Sequence, residues 1–477
     1  MEFRIVNGTA VFPEGISELP MAAFSSCEEL TDVIIPDSVT AIGAGAFREC
    51  SNLVSVFIPG SIAHLGESVF EDCSSLTDIT LSEGLREITG NAFRRCIRLK
   101  QITIPDSAAD IRGQAFVGCE SLERINVGSG NTQYNSRDGV LYSKDGTELV
   151  RFAPGGREST FTIPEGVIRI CEYAFAGCHD LRKVHLPDSV REIGTLAFFE
   201  CSSLEEIVLP SGLITVGMEA FGYCERLTEI YLPESVTAIE SDAFFRCKNL
   251  TSVNIPENVT CIESGTFAYC EKLRSILISG RITLIGNDAF CRCKELAEIS
   301  IPDSVTCIGA HAFVMCENLI RAEIPDSVTI IGTMAFGGCR KLSGVNLPEG
   351  LIRLDDQAFM DCEALEEIHI PSGITEIGRQ VFSGCTHLRS VSFSDGLTRI
   401  GADAFRDCRS MTSIRIPDSV TEIDEGAFSG CTSLSNVTLP SRFEEISQKL
   451  FRDCKDLTCI SLFAGISIKR YLRRTDV

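Results

Sequence analysis

The sequence predicts an α/β solenoid of about eighteen 23-residue repeats, with a parallel strand sheet on one face and short helical turns or irregular segments on the other. Three observations predict it. One cysteine recurs at a fixed interval, as Cys27, Cys50, Cys73, Cys96 and Cys119, then from Cys178 through Cys201 to Cys454, eighteen times in all. A phenylalanine stands three residues before each of these cysteines, from Phe24 to Phe451, and Leu or Met stands three after, as in Leu30, Leu204 and Met411. Most repeats also carry a short alternating run closed by proline, as in "VSVFIP" ending at Pro59. Self-similarity at a period of this size is the mark of stacked repeats. Because a solenoid grows by adding neighbours, 477 residues need no second core. The expectation is one elongated domain, roughly 80 to 90 Å along its strand stack.

The elements follow in chain order. Residues 1–12, "MEFRIVNGTAVF", hold an Asn7-Gly8 turn between apolar residues and read as an N-terminal cap hairpin that covers the first open edge. Repeats fill 13–127. Within one of them, "CSNLVSVFIP", the apolar Leu53, Val56 and Ile58 precede a proline that donates no strand hydrogen bond, so the segment is a short strand ended by Pro59. In the repeat before it, "DSVTAIG" places Val39 and Ile42 three apart, and "AGAFREC" puts Ala46 and Phe47 in a short helical turn. Burying the phenylalanine contributes ~2–3 kcal/mol per repeat. Truncating a mid-array ring such as Phe244 to Ala should cost ~3–5 kcal/mol.

Between Cys119 and Cys178 the interval lengthens to 59 residues, and 128–160 are expected to form a β-hairpin island. Its "GVLY" and "ELVRF" runs flank "SKDGT", where Asp145-Gly146 is a hairpin turn signal. Repeats resume over 161–462. The last segment, 463–477, loses the proline and the Ala-Phe pair and becomes basic at Lys469, Arg470, Arg473 and Arg474, which suggests a C-terminal cap and basic tail. Its final Thr475-Asp476-Val477 matches a carboxyl-terminal PDZ ligand, too short a match to carry weight.

Eighteen of the 23 cysteines occupy one repeat position. In stacked repeats their side chains point the same way, whereas a disulfide needs the two Cβ vectors turned toward each other. The ladder therefore reads as free thiols acting as small buried hydrophobes with a weak donor. Cys171, Cys261, Cys291, Cys307 and Cys459 lie outside it, and with no C-x-x-C pair no zinc site is expected. A formal charge of −23 argues against nucleic acid, which calls for clustered Lys and Arg, and opposes self-association, so a monomer is expected. No run approaches a membrane span, and the N-terminus lacks a secretory pattern. Together with reduced cysteines, that points to the cytoplasm.

The spacing C-x-x-L-x-x-I-x-[IL]-P-x-x-[VLI]-x-x-[IL]-x-x-x-A-F, seen in "CSSLEEIVLPSGLITVGMEAF" from Cys201 to Phe221, resembles the BspA-like, or Treponema pallidum type, leucine-rich repeat. The resemblance covers nearly the whole chain. It implies a leucine-rich-repeat solenoid that works by binding rather than catalysis, and it brings in a second possibility, a cell-surface adhesin for host or neighbour-cell proteins.

No enzyme signature competes with this. The six histidines are scattered, and G-x-x-x-x-G-K-[ST], H-E-x-x-H and G-x-S-x-G are all missing. Neither a cofactor nor a metal is expected. The expected function is recognition of a protein or a glycan through the strand face. Residues five and seven after each ladder cysteine alternate with the buried ones and point outward. The seventh gives His185, Val208, Tyr231, Asn254 and Leu277 in five consecutive repeats, an amphipathic stripe about 20 Å long. The fifth adds a polar rim of Lys183, Glu206 and Glu229. Ile34 and Phe57 form a second apolar pair, near enough to the N-terminus for the cap to cover.

Overall fold

A computed structural model describes residues 3–155, 159–278, 281–443 and 447–462. They belong to two compact units, Met1–Leu227 and Thr228–Val477. Both are built from the same coil. Residues 463–477, with the expected cap, the basic positions and the terminal Thr475-Asp476-Val477, lie outside the described residues.

Nearly every coil begins with the expected strand. In Ser55–Ile58 the pattern alternates, with Val56 and Ile58 buried and Ser55 and Phe57 toward the outside. Equivalent residues of successive coils stand side by side in parallel, Asp32 by Ser55 by Asp78 and Ile34 by Phe57 by Thr80. A 23-residue period keeps every inward residue inward, because a slip of one would expose the whole apolar set.

A second parallel ladder was not foreseen. Two-residue strands pair coil to coil, such as Glu18–Leu19 with Ala41–Ile42 and His64–Leu65 with Glu87–Ile88. Of the two forms expected beyond it, helical turns or irregular segments, turns prevail. Among the described residues the only helices are the 3-10 segments Gly113–Phe116 and Gln448–Phe451. The reason lies in the backbone donors. Gly45, Phe47 and Glu49 give their N–H groups not to their own segment but to the carbonyls of Glu67, Val69 and Glu71 in the next coil, at 2.9, 3.0 and 2.7 Å. To aim them there, the backbone adopts φ of 62° at Gly45 and 60° at Glu49, and 57° and 60° at Ser68 and Asp72 one coil later. A non-glycine residue in that region costs on the order of 1 kcal/mol. The coil-to-coil hydrogen bond it permits is the compensation.

The phenylalanines stack from Phe24 to Phe116 and from Phe175 to Phe221 in the first unit, and from Phe244 to Phe451 in the second. Ring centroids are 4.8 Å apart for Phe175 and Phe198 and 5.8 Å for Phe93 and Phe116, with planes 8° and 13° apart. Behind the stack runs the cysteine ladder. The Cys50 thiol donates to the Phe24 carbonyl at 3.0 Å, Cys73 to Phe47 at 3.1 Å, and so on to Cys454 and Phe428 at 3.1 Å. Cysteine suits the position because it is nearly as easily buried as alanine, yet supplies a donor for a buried carbonyl. All 23 cysteines are free. Burial pushes the Cys50 thiol up to about 11 and the Cys339 thiol up to about 12, so at neutral pH these thiols keep the proton that they donate. Titration of the folded protein with an aromatic disulfide reagent at pH 8 should therefore find no more than the six half-exposed thiols, Cys27, Cys171, Cys261, Cys307, Cys454 and Cys459. Rapid reaction of all 23 before denaturant is added would contradict the ladder.

The first unit carries two departures. At the start, Arg4–Val6 and Thr9–Val11 pair antiparallel around Asn7 and Gly8, with φ of 50° and 82°, a two-residue turn whose twist matches its strands. In the long interval, Tyr134–Arg137, Val140–Ser143 and Glu148–Arg151 form an antiparallel meander with two turns. Asp145-Gly146 makes the second. The first, Asp138-Gly139, has φ of 50° and 76°, and the sequence reading did not single it out. Buried Asn131 pins the meander to the preceding coil, donating to the carbonyls of Pro105 and Ala108, each at 2.9 Å. Glu148–Arg151 then joins the second ladder, parallel to Arg169–Ile170.

Where this insertion re-enters the stack, the cysteine rung is missing. Phe152 fills the aromatic position, 5.0 Å from Phe175, and Arg151 takes over the polar one. Its guanidinium is fully buried and donates to the carbonyls of Phe116 and Ala176, each at 3.0 Å, and to that of Tyr173. In a regular coil the carbonyl corresponding to Phe116 receives a thiol. Desolvation lowers the affinity of Arg151 for its proton, with the thiols of Cys178 and Cys119 opposing that as the nearest acids.

Candidate recognition surface

The outward residues of the first ladder are set by alternation. In the first unit, Lys183–His185 and Glu206–Val208 are parallel neighbours, with Lys183 beside Glu206 and His185 beside Val208. Val184 and Ile207 between them are buried, which forces their neighbours outward. The Lys183 ammonium meets the Glu206 carboxylate at 2.6 Å, a surface pair worth about 0–1 kcal/mol. His185 is exposed, and Val208 is 66% exposed.

In the second unit, Glu229 makes a single bridge to Ser252, and Ser252–Ile255 pairs with Ser275–Ile278 so that Asn254 lies beside Leu277. Tyr231 and Leu277 are 66% and 68% exposed. Asn254 plays a different part from the one its column suggested. It is half-buried, its Nδ2 donates to the Leu232 carbonyl at 2.7 Å, and its Oδ1 accepts from the Leu232 amide at 2.8 Å. The side-chain amide stands in for a peptide group where the Tyr231–Leu232 segment forms no regular strand pairing. Nothing in the sequence marks this, since an asparagine on a strand reads as a solvated residue.

The N-terminal hairpin leaves the second apolar pair open. Thr9 registers with Asp32, yet Ile34 remains 64% exposed and Phe57 39%.

Potentially reactive groups are dispersed. Among the described residues no group of three or more His, Cys, Asp or Glu side chains could hold a metal ion. His369 comes nearest to a catalytic arrangement, with Nδ1 2.8 Å from Ser392 Oγ and Nε2 3.7 Å from Glu349 Oε1. His369 and Ser392 lie on neighbouring strands and Glu349 in an exposed turn, where water competes for each contact. Cys261 and Cys307 share one column of the second ladder, two coils apart with Leu284 between them, too far for a disulfide. The sequence reading had not grouped them. No helix among the described residues is long and apolar enough to cross a membrane.

Comparison with known proteins agrees with this coil. The profile of the BspA type leucine rich repeat region, six copies long, matches residues 8–136, 155–274, 260–385 and 352–472. A leucine rich cell surface protein of Faecalibacterium prausnitzii is 36% identical over 56% of this chain and 70% of its own, with a TM-score of 0.50. A leucine-rich repeat protein of Eubacterium ventriosum is 22% identical over 71% of this chain and 91% of its own, with a TM-score of 0.54, and shares the fold. Among curated proteins none matches. Recurrence of the strand, the Phe-x-x-Cys ladder and the family profile along almost the whole chain places it in one family: the protein belongs to the BspA-type leucine-rich repeat proteins.

Proposed function

We propose that the protein recognises another protein through the exposed face of its first strand ladder. The observation that carries this reading is the exposure of Val208, Tyr231 and Leu277, 66%, 66% and 68%, at outward positions where water gains nothing from them. An apolar side chain with a charged rim, Val208 with Lys183 and Glu206 in the first unit and Tyr231 and Leu277 with Glu229 in the second, is in each unit the composition of an interface centre. His185 completes the patch of the first unit. Asn254 contributes by holding the backbone that presents Tyr231. Glycan binding at this face is the weaker variant, because a surface dominated by Val and Leu offers few hydrogen bonds to hydroxyl groups. With its strongly acidic body the chain acts as a monomer.

The test compares the wild-type chain with Val208→Ser in the first unit, Tyr231→Ser/Leu277→Ser in the second, and all three together. A partner retained by the wild type, weakened in each variant and lost from the triple one at unchanged melting temperature supports the reading. Equal recovery by all four removes this face from consideration.

Two locations are supported by different observations. The protonated thiol ladder fits a reducing compartment and an intracellular scaffold. Likeness to a Faecalibacterium cell-surface protein favours a surface adhesin. Protease treatment of intact source cells separates them: digestion before lysis places the protein outside, and protection until lysis places it inside.

A further inference from the structure

The insertion leaves a trace on the opposite side of the first unit. Where Arg151 and Phe152 replace a full turn segment, the segments on either side, Gly113–Phe116 onward and Cys171 onward, come together. A Cβ on Gly113 would stand 2.7 Å from the Glu172 carbonyl oxygen, and one on Gly177 would stand 3.6 Å from the Gly118 nitrogen. Above this splice the turn face is hollowed into a groove of about 570 Å³, continuous through Gln114 and Tyr173 with a second hollow of about 380 Å³. That size lies within the usual range for small-molecule sites.

The groove has a chemistry of its own. Tyr173 and Gln114 are half-buried in it, Arg94 and Arg95 rise on one side, and Phe199 and Glu200 on the other. The two arginines have only long contacts, 3.7 Å to Glu71 and 3.9 Å to Asp72, so their donors remain available. Burial raises the Tyr173 phenol above its ordinary value, with Glu172 and Glu219 adding to the rise and Arg94 opposing it, so the hydroxyl has charge of both signs around it.

A ligand for this groove must satisfy guanidinium and amide donors and carboxylate acceptors together, and must offer flat apolar patches to Tyr173 and Phe199. An anion would face Glu120 and Glu200, and a cation would face Arg94 and Arg95. An extended peptide would seek a free backbone edge, and there is none at these positions: the amides of Arg95, Tyr173 and Gly177 already donate to Val117, Thr195 and Phe199 at 2.9, 3.1 and 2.8 Å. Neutral sugars meet every requirement. Each hydroxyl both donates and accepts, and the C–H faces of a pyranose pack on aromatic rings. We propose that this turn-face groove, created by the insertion, is a binding site for a neutral oligosaccharide.

The test is saturation-transfer NMR on the full chain, using uncharged hexasaccharides of glucose, galactose and N-acetylglucosamine as probes, with sulfated and sialylated oligosaccharides alongside. Saturation of ring C–H protons in at least one neutral probe is expected. Tyr173→Ala should weaken its binding by about tenfold or more, and so should Arg95→Ala, a rim change that leaves the fold untouched if Tyr173→Ala does not. Transfer to none of the neutral probes, transfer only to the charged ones, or transfer that persists in both variants overturns the proposal. The triple serine variant of the strand face should bind the sugar like the wild type, so failure there and failure here are read separately.

Discussion

Phe313→Ala is expected to destabilise the second unit by about 3–5 kcal/mol, the usual range for removing a fully buried phenylalanine. The ring is 0% exposed and lies between Phe290 at 5.2 Å and Phe336 at 5.1 Å, within 5° and 12° of parallel. Two neighbours lose a stacking partner at once, and the cavity cannot collapse, because coils on both sides are fixed by three sets of hydrogen bonds. The Phe313 carbonyl also accepts the Cys339 thiol at 3.1 Å, so a backbone shift to fill the void would strain that contact as well. Chemical denaturation followed by hydrogen exchange should show lost protection centred on the coils of Phe290, Phe313 and Phe336 and fading outward, as nearest-neighbour coupling requires. A uniform loss across the unit, or a midpoint equal to that of the wild type, would count against a stack held by local contacts.

Arg151→Ala should cost about as much, ~3–5 kcal/mol, for a different reason. It leaves the carbonyls of Phe116, Tyr173 and Ala176 without the donor that now joins them. Arg151→Lys keeps the charge but has no fork with which to reach three acceptors, and should fall between the two. Limited proteolysis offers a local measure, with Arg151→Ala cleaved faster near the splice while the second unit stays intact. Unchanged digestion would mean that water replaces the guanidinium at no cost.

The period made the fold legible. Phe24 and Cys27 recur too regularly for any architecture but stacked coils, and the alternation in "VSVFIP" oriented the strand correctly. The second ladder escaped notice because Ala41–Ile42 is two residues long, shorter than any window in which alternation can be recognised. Left-handed backbone at Glu49 or Tyr269 was equally hidden, since only glycine announces that geometry and here inter-coil hydrogen bonds impose it on ordinary residues. At the strand face, the exposed positions of Val208, Tyr231 and Leu277 followed from counting along the repeat. Asn254 did not, because the vacancy it fills at Leu232 exists only in three dimensions. The groove had a visible cause, the 59-residue interval, but its walls come from coils far apart in sequence.

The thiol ladder sets the time available for folding. Once coiled, the chain keeps most of its sulfurs from oxidants, because the buried ones of the ladder are out of reach. Before coiling, all 23 sulfurs of the chain are ordinary thiols on a flexible polymer, free to cross-link in any of a very large number of pairings. A nascent chain in an oxidising medium therefore runs a race between winding and scrambling. Local contacts favour winding, since each new coil needs only the one before it as a template. Stacking order thus doubles as protection: every turn laid down withdraws one more sulfur from the competition.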